Sequence, residues 1–243
     1  MIALIKKEVG SFFSSLTGYV VIIVFLSING LFIWVFPGEL NVPDSGYATL
    51  DTLFIIAPWV FLFLVPAVTM RMFAEEKRSG TLELLLVRPL TDFQIVFAKF
   101  MAAVVLVFIS LLPTLVYFWS VYTLGSPPGN LDTGAIWGSY IGLFFLASSY
   151  AAIGVFSSSL TENQIIAFII AVLSAFFFFT GFELLSALSG NLWLEQLLLY
   201  LGINGHYSSI SRGVVDTRDI IYFISLISIF LFLTRTVLTS RKW

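Results

Sequence analysis

The sequence predicts an all-α integral membrane protein with six transmembrane helices. Three observations point there. Of the 243 residues, 59% are hydrophobic and only 11% charged, against about 45–50% and about 25% in ordinary globular chains. Mean hydropathy is +1.01, so the chain has too few charges to solvate its own surface and its solvent is largely lipid. A helix needs about 20 apolar residues to cross a hydrocarbon core of roughly 30 Å, and charge-free runs near that length recur along the chain. The 26 Phe suit lipid-facing helices. The composition also excludes chemistry. With Cys 0 and His 1 there is no disulfide, no thiolate and no His/Cys metal cluster. A net charge of −2 argues against a nucleic-acid partner.

Residues 1–17 open the chain. Ile2, Ile5, Val9, Phe12, Phe13 and Leu16 recur at spacings of three and four, with Lys6, Lys7, Ser11 and Ser14 off that stripe. This is the pattern of an amphipathic helix lying in the membrane interface with its basic side toward anionic lipid; the plain alternative is a partly ordered start. The spans expected next are 18–36, 53–70, 100–124, 135–160, 165–182 and 220–238. The last run continues past Arg235, whose side chain can snorkel to the headgroups. The first is too long for a secretory h-region and no Ala-x-Ala site follows it.

Charge sets the orientation. With the N-terminus in the cytoplasm, Lys6, Lys7, Arg71, Lys77, Arg78, Arg88, Lys99, Arg235, Arg241 and Lys242 lie inside, ten of the twelve basic residues. Only Arg212 and Arg218 fall outside. Trp34, Trp59, Trp119, Trp137 and Trp193 fall near the outer ends, where indoles favour the interface. Both termini are therefore expected in the cytoplasm. Residues 183–219 are expected as an outer re-entrant or loop region, because 184–200 is apolar yet contains Glu195 and a Ser-Gly-Asn turn.

The inner connection 71–99 is the most informative stretch. RMFAEEKR extends the second span as a charged helix, with Arg71 and Glu75 at i,i+4, and Ser79-Gly80 breaks it. Residues 81–87 (TLELLLV) form a short helix with Glu83 in its first turn, where the helix dipole favours an anion. Arg88-Pro89 stops it, since proline disfavours helix at the residue before. Thr91 to Gln94 matches a capping box, so a new helix starts at Asp92. Leu84, Leu85 and Leu86 cannot all hide against one neighbour. The short helix reads either as a docking surface or as an elbow resting on headgroups.

Elsewhere, Gly138, Gly142, Ala147, Ala151 and Gly154 give the fourth span a small-residue face for close helix approach, within the chain or across a dimer. Thr161 to Gln164 matches a second capping box. Residues 176–179, all Phe, read as packing. Glu183 reads as a hydrated boundary residue, and His206 as a hydrogen-bonding loop residue. No Gly-Lys pair occurs, so the chain has no P-loop and any ATP chemistry belongs to a partner.

Residues 66–100, PAVTMRMFAEEKRSGTLELLLVRPLTDFQIVFAKF, resemble the second span and coupling helix of ABC-2 type transporter permeases. GVFSSSLTENQIIAF (154–168) and GHYSSISRGVVDTRDIIYF (205–223) support the resemblance in the right order. Within that family the chain is similar to the permease subunits associated with gliding motility. The resemblance implies a type V exporter-like permease of the bacterial inner membrane with a short cytoplasmic coupling helix. It implies a cytoplasmic ABC ATPase dimer that holds the ATP and Mg2+, with no cofactor in this chain. It also implies a second six-span permease subunit, a different chain with a periplasmic domain. Contact with the ATPase would fall on Glu75, Glu76, Arg78, Gly80, Thr81, Glu83 and Leu84. Two other functions remain open at this point: a mechanotransmitting component that translocates nothing, and an intramembrane lipid-modifying enzyme using His206, Glu183 or Glu195. The enzyme lacks a nucleophile–base pair at helical spacing.

Overall fold

The structure, a computed structural model, describes residues 1–86, 89–213 and 215–240, without the side chains of residues 84–86. Among the described residues there is no strand, and six helical stretches are long and apolar enough to cross a membrane. The chain is an all-α multi-pass membrane protein.

A first helix, α1 (Ile2–Ser14), ends at Ser15, whose extended backbone turns the chain into α2 (Leu16–Trp34), the first span. The sequence predicts the stripe from Ile2 to Leu16 as the apolar face toward lipid. Of that stripe, Ile2 and Leu16 are among the most exposed apolar residues, whereas Phe12 joins Leu4 and Glu8 on a buried face that packs on the third span. Glu8 turns inward because a buried cation awaits it there.

After the one-turn α3 (Val42–Ser45), capped by Asn41, α4 (Asp51–Thr69) crosses back and continues as α5 (Arg71–Arg78). The short α6 (Thr81–Leu86) follows. Helix α7 (Asp92–Leu111) starts at a complete capping box: Thr91 Oγ1 accepts from the Gln94 N–H at 3.3 Å, and Gln94 Oε1 accepts from the Thr91 N–H at 3.1 Å. A 3-10 turn around Pro113 links it to α8 (Leu115–Leu124), completing the third span.

Helix α9 (Thr133–Leu160) is the axis of the bundle. It is buried along most of its length and packs against α4, α5, α7 and the later helices, whereas α2 and the last two spans expose most of theirs. The small-residue face explains this position. A Cβ at Gly138 would meet the Ile210 carbonyl oxygen at 2.8 Å, so the close approach is made within the chain.

Helix α10 (Gln164–Phe176) begins at a cap other than the one the sequence suggests. Asn163 is the N-cap, its Oδ1 accepting from the Ile165 N–H at 2.9 Å, and Thr161 merely turns the Asn163 N–H. A π-helical turn (Phe177–Gly181) runs into α11 (Phe182–Leu188), lengthening the fifth span. Its phenylalanines pack: Phe178 on Phe230, Phe179 on Trp59 and Tyr150.

The stretch expected as an outer re-entrant or loop region forms two short helices, α12 (Leu192–Leu201) and α13 (Ile203–Ser211), before the last span α14 (Thr217–Ser240). His206 lies in α13, not in a loop, because Gly202 ends α12 and a new turn starts at once. Glu183 accepts a hydrogen bond from Asn204 Nδ2 at 2.8 Å and so ties α11 to α13.

Candidate functional site

Consecutive spans alternate in direction, so one end of the bundle gathers α1, α5, α6 and the start of α7. The backbone there makes an elbow. Ser79 and Gly80 close α5 with N–H donations to the Glu75 and Lys77 carbonyls at 2.9 and 3.2 Å. Gly80 has φ +67°, the left-handed conformation that a side chain disfavours, and this reverses the chain into α6. Ser79 Oγ and Thr81 Oγ1 lie 2.9 Å apart across the turn.

Most of the sequence-predicted coupling residues share this surface. Glu75, Arg78, Gly80, Thr81 and Glu83 are exposed, and Leu82 is buried, fixing α6 against the body. The side chain of Leu84 lies outside the described residues, as do Val87, Arg88, Arg241 and Lys242 altogether. Arg71 does not pair with Glu75; its Nη1 donates to Thr17 Oγ1 at 3.1 Å, joining α5 to the first span.

Glu76 turns the other way. It enters a buried ionic cluster centred on Lys99, a residue only 1% exposed. Lys99 Nζ lies 2.8 Å from Glu76 Oε1 and 3.4 Å from Glu8 Oε1, and donates to the Met72 carbonyl at 2.7 Å. The ammonium thus has two hydrogen-bond acceptors, Met72 and Glu8, and a close ion pair with Glu76. The Phe73 ring lies 5.1 Å from Nζ on another side. Burying a charge costs heavily unless it is paired, so this pairing binds α1, α5 and α7 into one unit. A cavity of about 430 Å³ lies beside it, lined among others by Glu8, Ser11, Arg71 and Glu75.

A second set of contacts fastens the arm to α9. Ser158 Oγ accepts from the N–H groups of Phe73 and Ala74 at 2.9 and 3.1 Å and donates to the Met70 carbonyl at 2.9 Å. Lys77 Nζ donates to the Ser159 carbonyl. None of Glu8, Lys99 or Ser158 stands out as a partner in the sequence. The available signal is a charge on an otherwise apolar helical face: Glu8 between Leu4 and Phe12, and Lys99 among Val96, Ala98 and Phe100.

At the opposite end His206 Nδ1 lies 2.7 Å from Asp219 Oδ1 and Nε2 lies 3.0 Å from the Tyr200 carbonyl. The imidazole stacks on Tyr222 at 3.9 Å, and Tyr222 Oη donates to the Leu201 carbonyl at 2.6 Å. Nearby, burial pushes the Tyr207 phenol well above its ordinary range, and its hydroxyl donates to the Phe54 carbonyl at 2.7 Å. These are closing contacts. Among the described residues no group of three or more His, Asp or Glu side chains could hold a metal.

The elbow is thus a short helix, exposed at Thr81 and Glu83, on an arm fastened to four other helices. No curated protein matches the chain. The family model described as ABC-2 family transporter protein matches residues 37–239, which takes in the elbow, the α9 axis and helices α12 and α13. The chain belongs to the ABC-2 family of transporter proteins, the membrane components of ABC transporters.

Proposed function

We propose that the elbow is the docking point of a cytoplasmic ABC ATPase and that this chain is the permease subunit that its ATP hydrolysis drives. The observation that supports this most is the pairing of exposure with attachment. Thr81 and Glu83 are exposed at the tip, while the arm behind them is fixed to α1 and α7 through Lys99, to α2 through Arg71 and to α9 through Ser158. A push on α6 reaches α1, α7 and α9 through buried polar contacts, and α2 through the exposed Arg71–Thr17 hydrogen bond.

The elbow end is cytoplasmic in this reading, because the basic residues concentrate there, and the membrane is the bacterial inner membrane. ATP and Mg2+ sit in the ATPase dimer. The exposed lengths of α2, α10–α11 and α14 favour a second six-span subunit alongside. Its identity as a different chain with a periplasmic domain, and a role in gliding motility, rest on the chain's likeness, within that family, to the permease subunits associated with gliding motility. The test is Glu83→Lys in the purified complex. The expected outcome is an assembled complex whose ATP hydrolysis no longer responds to the permease; unchanged coupled hydrolysis, or no ATPase co-purifying with the unaltered chain, contradicts the reading.

A further inference from the structure

We propose that Ser158 is a positioning residue of the coupling step: its hydroxyl is the pin on which the arm α5–α6 turns relative to the membrane part of span two. The proposal rests on the ATPase-docking reading for its purpose, but not for its geometry.

In an unbroken helix the Ala74 N–H would bond the Met70 carbonyl and the Phe73 N–H the Thr69 carbonyl. Here both N–H groups donate to Ser158 Oγ, and the same hydroxyl donates to Met70. A side chain from α9 thus stands in the hydrogen-bond ladder of span two, which is a recognised cause of a helix break. Helix α4 ends at Thr69 and α5 begins at Arg71 at this place.

Three further features fall within one turn of it. Pro66 removes an N–H from the ladder inside α4. Thr69 Oγ1 bonds back to the Val65 and Pro66 carbonyls at 3.0 and 3.3 Å, a pattern that bends helices. Gly154 on α9 leaves room for the Thr69 side chain, which a Cβ there would strike.

The chemistry explains why a serine suits the position. Bending a helix away from water strands backbone groups that nothing else can satisfy. A hydroxyl has one proton and two lone pairs, and it rotates. Ser158 is fully buried and uses all three, so it can keep Met70, Phe73 and Ala74 satisfied over a range of arm angles. The Ser159 carbonyl, holding Lys77 one residue on, makes the last turn of α9 the fulcrum.

The test uses spin labels at Ser79→Cys on the arm and Glu162→Cys just past α9, in a chain that has Cys 0. In the isolated chain in lipid nanodiscs, Ser158→Ala should narrow the label–label distance distribution, because the two N–H groups return to backbone carbonyls and the helix becomes continuous. Ser158→Thr, which keeps the hydroxyl, should restore the width. In the complex with its ATPase, Ser158→Ala should keep the ATPase bound and lose the distance shift that ATP with vanadate produces in the unaltered chain. A Ser158→Ala chain with unchanged distribution width overturns the hinge, whether or not an ATPase is bound. Failure of the unaltered chain to bind any ATPase would overturn the docking reading, and the nanodisc measurement would still decide the hinge.

Discussion

At the elbow end a lysine 1% exposed meets two carboxylates and a carbonyl. At the opposite end a histidine meets one carboxylate and a carbonyl, with its ring against a tyrosine. Both fasten short helices to the bundle, but over different distances. His206 and Asp219 are 13 residues apart in sequence and close a local hairpin on the next span. Lys99 and Glu8 are 91 residues apart, and Glu76 joins them from a third segment. The first contact shapes a region; the second joins regions distant in sequence. A long-range buried cluster is costly to assemble and costly to break by halves, which suits the end proposed to dock the ATPase.

The largest expected effect comes from Lys99→Met. It leaves Glu8 and Glu76 facing each other without their cation, and removing one partner of a buried pair costs about 3–5 kcal/mol. Thermal unfolding of the detergent-solubilised chain should fall accordingly. Adding Glu8→Gln and Glu76→Gln should recover much of the loss, because the uncompensated charge is then gone. A single variant as stable as the unaltered chain would remove the distinction between the two ends.

His206→Phe should cost less. It keeps the stacking on Tyr222 but leaves Asp219, 6% exposed, without its nearest donor, a loss of about 1–3 kcal/mol for a hydrogen bond to a charged group. Faster hydrogen exchange should be confined to α12 and α13 and should not reach α5; spread to the elbow would contradict the view of this contact as local. The smallest effect is expected from Lys7→Ala. Lys7 lies 3.6 Å from Glu8 but is 63% exposed, so its loss should cost about 0–1 kcal/mol. A larger drop in the same unfolding assay would mean that the Lys99 cluster extends to its rim.

The difference between the ends also marks what could be read in the sequence. The elbow was legible because its boundaries are local: Ser79-Gly80, Pro89 and the Thr91–Gln94 box each act within a few residues. Apolar run length likewise announces the spans. Lys99 counts in the sequence only as inside-positive charge and Glu8 carries no role in it, since periodicity gives a residue's face but not the helix opposite it. Ser158 lay in a run of three serines, any of which could point into span two. The start of α10 was misjudged for a different reason. Thr161 and Asn163 are both good caps two residues apart, and the backbone, extended at Thr161 and again at Asn163, selects the later one. The π turn gave no sign at all: Phe177–Gly181 is apolar enough for any helical geometry.

Photo-crosslinking of the intact complex tests the central claim most directly, with a benzoylphenylalanine placed once at Glu83 on α6 and once at Trp193 on the exposed α12. The account predicts a crosslink to the ATPase from position 83 and none from position 193. A crosslink from 193, or none from 83 while the ATPase co-purifies, would place the docking surface elsewhere and contradict it.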